Sequence, residues 1–186
     1  MATLTSLIDH LEQSGSRQEA RKILSPHRGL PGLSQAYFER IATHFSSNPA
    51  RAYSLADHWR LVASLGDDPS YAYRAKGVAD RGRGNWLASA RSFMKAGELA
   101  KTAGHRYSFQ AGAVDALARA AKMAEAEQLA EELSSGLKSL DEPLFAARIE
   151  LNLGNVLLLQ DRMKESRVHL EKALSAFEER DRKSVV

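Results

Sequence analysis

An all-α fold made of stacked antiparallel helix pairs is what this sequence predicts, and three observations carry the prediction. Alanine is frequent and the Val/Ile/Thr alternation of a strand is nearly missing, so local preference is helical throughout, because alanine and the straight-chain residues lose little side-chain freedom in a helix. The five prolines, at 26, 31, 49, 69 and 143, fall where helices would begin or end, and the segments between them carry apolar residues at three- and four-residue spacing. A self-similar segment also recurs along the second half, with equivalent positions 77, 114 and 154 lying 37 and 40 residues apart.

Taken in order, residues 1–30 carry two short amphipathic stripes, Leu4, Leu7, Ile8 and Leu11, then Ala20, Ile23 and Leu24, before Gly29 to Gly32 break the chain. They read as a capping helix pair over the apolar end of the stack. Residues 31–68 read as a degenerate unit with Trp59, Val62 and Leu65 in second-helix places. Three better-formed units follow at 69–106, 107–143 and 144–186, all expected to join in one continuous solenoid. The clearest runs from Ala147 to Phe177: a helix, a turn at Gln160-Asp161-Arg162, and a second helix. In it Gly154, Ser166, Leu170 and Ala173 correspond to Gly77, Ser89, Phe93 and Ala96 upstream, and to Val114, Ala126, Ala130 and Leu133 between. The last unit ends in the charged run Glu178 to Lys183, expected to lead into a further helix of a longer protein.

Those residue types have a physical reason. Two antiparallel helices joined by a tight turn approach closely only where small side chains face each other. Gly or Ala on the first helix and Ala or Ser on the second provide that room, and the larger Phe93 or Leu170 fills the space beside it. One pair cannot bury its apolar face alone, so several must stack.

Asn152-Leu153-Gly154-Asn155, followed by His169-Leu170-Glu171-Lys172-Ala173-Leu174, resembles the first-helix Leu-Gly pair and second-helix Ala-Leu of the tetratricopeptide repeat (TPR) family. The resemblance covers residues 69–178 and implies a right-handed α-α superhelix. It departs from the pattern in two ways. The aromatic early in the first helix is Tyr73 in one unit but Gln110 and Glu150 in the others, and the period exceeds the usual ~34 residues. Long periods, with second helices ending in phrases such as Leu65-Gly66-Asp67-Asp68, are similar to bacterial arrays that precede a CHAT protease or a regulatory domain.

Composition narrows the function classes. A net charge of +3, from 26 basic and 23 acidic residues, falls short of the clustered basic face expected of a nucleic-acid binder. The longest apolar run of the second half, Val156 to Leu159, is far below the ~20 residues of a membrane span. Asp9, His10 and Glu12 interrupt the apolar pattern at the N-terminus, unlike a signal peptide, and cysteine is absent. A cytoplasmic protein that neither enters a membrane nor binds nucleic acid is expected. The six histidines show no metal-binding spacing, and there is no Gly-x-Ser-x-Gly elbow or Gly-Lys-Ser/Thr phosphate loop, so the reading is of a non-enzyme without metal or cofactor. Arg81-Gly82-Arg83-Gly84 superficially suggests a phosphate cradle or an RNA-binding box, but one short copy inside a predicted turn is more simply a turn. His169, beside Leu170, reads as a solvent-edge helix residue.

The TPR resemblance implies that the first helices line a concave groove that meets a peptide or partner domain. In this register the groove candidates are Tyr71, Arg74, Arg81, Asp115, Arg119, Arg148, Asn152 and Asn155. Arginine can grip a carboxylate through two bonds, and asparagine can bond a ligand backbone through both donor and acceptor. The paired cations of the carboxylate-clamp subfamily are not reproduced in register. The expected role is a protein–protein interaction scaffold, with a sensor of a small peptide or nucleotide, or self-assembly into a homo-oligomer through the solenoid ends, as alternatives.

Overall fold

The computed structural model describes residues 3–137 and 143–184. Residues 1–2, 138–142 and 185–186, which belong to the expected capping pair and the last two expected units, lie outside the described residues. Among the described residues there are eleven α-helices, one 3-10 turn and no strand. The fold is all-α, as the sequence predicts. The chain divides into two compact units, Met1–Ala100 and Lys101–Val186.

In the first unit, α1 (Leu4–Gln13) and α2 (Arg17–Leu24) start at Thr3 and Ser16, whose hydroxyls accept the backbone N–H of Ser6 and Glu19. The 3-10 turn Ser25–His27 and two positive-φ glycines, Gly29 and Gly32, lead into α3 (Leu33–Ser47). The second helix expected after it is two pieces, α4 (Pro49–Ala56) and α5 (Trp59–Leu65). Carbonyls freed at this break find donors. The Tyr37 hydroxyl donates to Leu55 O at 3.0 Å and Ala56 O at 3.1 Å. Burial above all, then the Asp57 charge, raises its pKa well above the usual phenol value. His58 in the break is buried within 3.1 Å of Ser14 Oγ, and burial, partly opposed by Asp57, lowers its pKa.

Two polar clusters tie these helices together. Glu12 on α1 keeps only 2% of its side chain exposed, held by Arg40 Nη1 at 2.9 Å and by Arg51. His44 Nε2 stands 2.7 Å from the same carboxylate, at ion-pair distance but off the line of a hydrogen bond. At the Gly66-Asp67-Asp68 turn, the Asp67 carboxylate accepts the N–H groups of Gly32 (2.7 Å) and Ser34 (2.9 Å), and Asp68 caps the next helix through Ser70 N. Burial acts to raise the Asp67 pKa, but the Ser34 and Gly32 donors outweigh it and hold the carboxyl below its usual range. A Cβ on Gly66 would run into Ser34 Oγ and the Val62 carbonyl, so glycine alone fits there.

α6 (Pro69–Gly82) and α7 (Trp86–Leu99) form the first regular pair. Gly77 faces the Phe93 ring, which a Cβ would meet at 3.0 Å, and Ser89 Oγ donates to Gly77 O at 2.7 Å. In the second unit, α8 (Ala103–Arg119) pairs with α9 (Met123–Leu137), and α10 (Pro143–Leu159) with α11 (Met163–Ser184), while α10 also packs on α8 and α9. Here the same device returns. A Cβ on Gly154 would lie 2.7 Å from Leu170, and Ser166 Oγ donates to Gly154 O at 2.7 Å. The charged run after Phe177 belongs to α11, which continues unbroken to Ser184.

The turns inside these three pairs close alike. Gly84, Ala121 and Asp161 take φ of 77°, 59° and 58°. The next residue, Asn85, Lys122 or Arg162, donates its N–H five residues back, to Asp80, Leu117 or Leu157 O. This is the Schellman arrangement, which gives partners to the last carbonyls of the helix.

Candidate interaction surfaces

The expected groove residues lie on first helices, and each unit presents its own set. In the first unit, Tyr71 on α6 is buried to 8% exposure with its ring 6.2 Å from Phe38 of α3. Arg74 stacks over the same Phe38 at 4.1 Å, and Arg81 lies 6.0 Å from the Phe93 ring centre. Stacking of this kind sets the plane of the guanidinium. Burial raises the Tyr71 pKa against the opposing charge of Arg74, which keeps the hydroxyl a neutral donor.

In the second unit, Arg148, Asn152 and Asn155 follow at i, i+4 and i+7 along α10, one stripe of a helix face. Asn152 Nδ2 donates to Ala111 O of α8 at 2.8 Å, so this side chain joins the two first helices. Arg148 and Asn155 are exposed and make no hydrogen bond or ion pair with the described residues. On α8, Asp115 and Arg119 form an i,i+4 pair at 3.0 Å. α10 also leaves apolar side chains open, since Leu151, Leu158 and Leu159 are all exposed. Periodicity does not mark them as surface, because leucine on a helix is usually core.

The remaining motifs are structural. Arg83 binds Asp57 through two bonds of 3.0 Å and lies 4.9 Å from the Tyr53 ring centre. Gly82 sits where a Cβ would be 2.5 Å from Tyr53 Oη, and Gly84 supplies the left-handed turn. The Arg-Gly-Arg-Gly segment thus docks the α6–α7 turn onto α4. His169 is half-buried, with Nδ1 2.7 Å from Glu150 Oε2, and bridges α10 and α11. Among the described residues no three His, Asp or Glu side chains come together as a metal site, and no helix is long and apolar enough to cross a membrane.

Two solved structures of a Podosopora anserina protein, described as a kinesin light chain with nearly identical TPR-like repeats, superpose on this chain. One is a substituted form of that protein and gives a TM-score of 0.65; the other gives 0.62. Each is 13% identical in sequence, and each match covers 96% of this chain and 95% of the other. The fold is TPR-like. No protein-family model and no curated protein matches the sequence. At 13% identity the TPR-like likeness rests on helix pairing, and the Gly77–Ser89 and Gly154–Ser166 contacts are where this chain shows it most directly.

Proposed function

We propose that this chain is a protein-interaction module that holds a peptide segment or partner domain against the outward faces of its first helices. The observation that carries the reading is on α10, where Arg148 and Asn155 stand exposed and uncommitted beside the Asn152–Ala111 tie. An arginine and an asparagine two helical turns apart offer donors to a carboxylate and a donor–acceptor pair to a peptide backbone. Asp115 and Arg119 on the adjoining helix extend the polar strip, and Leu151 supplies apolar contact at its edge. In the first unit, Arg74 and Arg81, each over an aromatic ring, are the corresponding candidates, while Tyr71 is buried. Neither set is arranged as a catalytic constellation, and the reading is of binding without chemistry.

The test uses a ligand selected on the chain itself. Peptides are selected from a random library against residues 1–186, and their affinity is then measured for Arg148→Ala/Asn155→Ala and, separately, for Arg74→Ala. Loss of two ligand bonds, one to a charged group, predicts a fall in affinity of about tenfold or more. Selected peptides that bind both variants as tightly as the parent chain would remove the groove assignment.

A further inference from the structure

The end of the second unit carries a feature that shares only Leu151 with the proposed groove. α10 and α11 enclose an open apolar groove of about 290 Å³, lined by Leu158, Met163, Leu170 and Leu174. Met163 and Leu174 are each 57% exposed. Apolar side chains gathered into one groove, rather than scattered singly, suit the docking of an apolar partner face.

The repeat register says what this face is. On the preceding pair, α10 is anchored at two points: Asn152 donates to Ala111 O of α8, and Arg162 binds Glu127 of α9 at 2.7 Å. Forty residues on, those anchor positions become Leu151 and Arg167. The open face of α10 and α11 is therefore the counterpart of the face that α10 covers on α8 and α9. Its chemistry has changed in two ways. Ala111 and Ala118, buried on α8, are replaced by the exposed and larger Leu151 and Leu158. Leucine ridges there no longer admit a helix as closely as α10 approaches α8. The anion at the rim, Glu127, is replaced by Arg167, which pairs with Glu171 one turn along at 2.6 Å.

A rim bearing one cation and one anion on the same helix is its own complement under a two-fold axis. Arg167 of one copy then faces Glu171 of the other, and the reverse, while the leucine ridges interleave between them. We propose that this groove is an isologous self-association surface, and that its occupant is the same α10–α11 face of a second copy of the chain.

Sedimentation equilibrium of residues 1–186 is expected to give, with rising concentration, twice the 20.5 kDa chain mass. Leu158→Glu/Leu174→Glu, which alters two exposed side chains, is expected to stay monomeric with unchanged helicity and melting temperature. Arg167→Glu and Glu171→Arg are each expected to weaken self-association at least about tenfold. An equimolar mixture of those two variants is expected to recover it as a heterodimer, because each then offers the charge the other lacks. The proposal is overturned by a parent chain that remains monomeric at every soluble concentration. It is equally overturned by a dimer that survives the double glutamate change, or by variants that do not rescue each other on mixing. Rescue by mixing separates this surface from any groove that binds peptides, since the groove variants above leave Arg167 and Glu171 intact.

Discussion

The pair α8/α9 solves the same packing problem as α6/α7 and α10/α11 with its parts exchanged. In the latter two, a glycine on the first helix receives a large side chain from the second: Gly77 takes Phe93, and Gly154 takes Leu170. In α8/α9 the first-helix position is Val114 and the second-helix position is Ala130, both fully buried. Volume that comes from the second helix in two pairs comes from the first helix in the third. A glycine–aromatic fit exists in α8/α9 as well, with roles reversed, since a Cβ on Gly136 of α9 would run into the Tyr107 ring and hydroxyl of α8. Interiors pack to near-crystal density, so what stays constant between pairs is the filled volume rather than which helix fills it.

The largest effect is expected from Gly154→Val. With Leu170 2.7 Å and Ser166 O 3.3 Å from the new Cβ, we expect a loss of about 3 kcal/mol in urea denaturation. Adding Leu170→Ala rebuilds the Val114/Ala130 combination. The double-mutant cycle should then show a favourable coupling of about 1 kcal/mol or more, and simple additivity would mean that the interchange is not what the packing obeys.

Next in size is the buried serine bond, which α8/α9 lacks because Ala126 stands in its place. Ser166→Ala should cost about 1.5 kcal/mol by removing the donor to Gly154 O, with Ser89→Ala costing a similar amount in the first unit. The turns reverse the sign. Ala121 holds a left-handed conformation that Gly84 adopts without strain, so Ala121→Gly should raise stability by about 1 kcal/mol, seen as a higher melting temperature.

The smallest effect lies at the seam that binds α9 to α10/α11. Hydrogen bonding to Arg162 is the main cause that holds the Glu165 carboxyl below its ordinary value of 4.5. A carboxyl with a depressed folded-state pKa contributes stability above the unfolded value and loses it as pH falls through the folded one. Acid titration of Arg162→Met should therefore show a shallower loss of stability below about pH 4.5 than the parent chain.

Much of this was legible because the determinants are local and periodic. The spacing of Gly77 to Ser89 equals that of Gly154 to Ser166, and the structure turns both into the same hydrogen bond. Prolines 49, 69 and 143 open helices α4, α6 and α10, as a missing N–H and a preset φ favour. The break between α4 and α5 was hidden, because no proline or glycine marks it and the stabilising hydroxyl, Tyr37, comes from another helix. Of the three left-handed turn positions only Ala121 was hidden, since glycine at 84 and aspartate at 161, inside the expected Gln160-Asp161-Arg162 turn, are residue types that adopt that conformation. Among the groove candidates, Arg148 and Asn155 stand exposed as their helical phase suggests. The burial of Tyr71 depends on Phe38 of α3, far back along the chain, which no periodicity within α6 reports.

Glu12 has a consequence for how the first unit comes apart. Terminal helices ordinarily fray, and their amides exchange with solvent long before those of the interior. α1 cannot lift away without exposing a carboxylate that is buried among Arg40, His44 and Arg51, and without parting the Arg40 and Arg51 guanidinium groups of α3 and α4 from their counter-charge. Its central amides are therefore locked to the same opening event as those of α3, and the first helix of the chain behaves in exchange as an interior one.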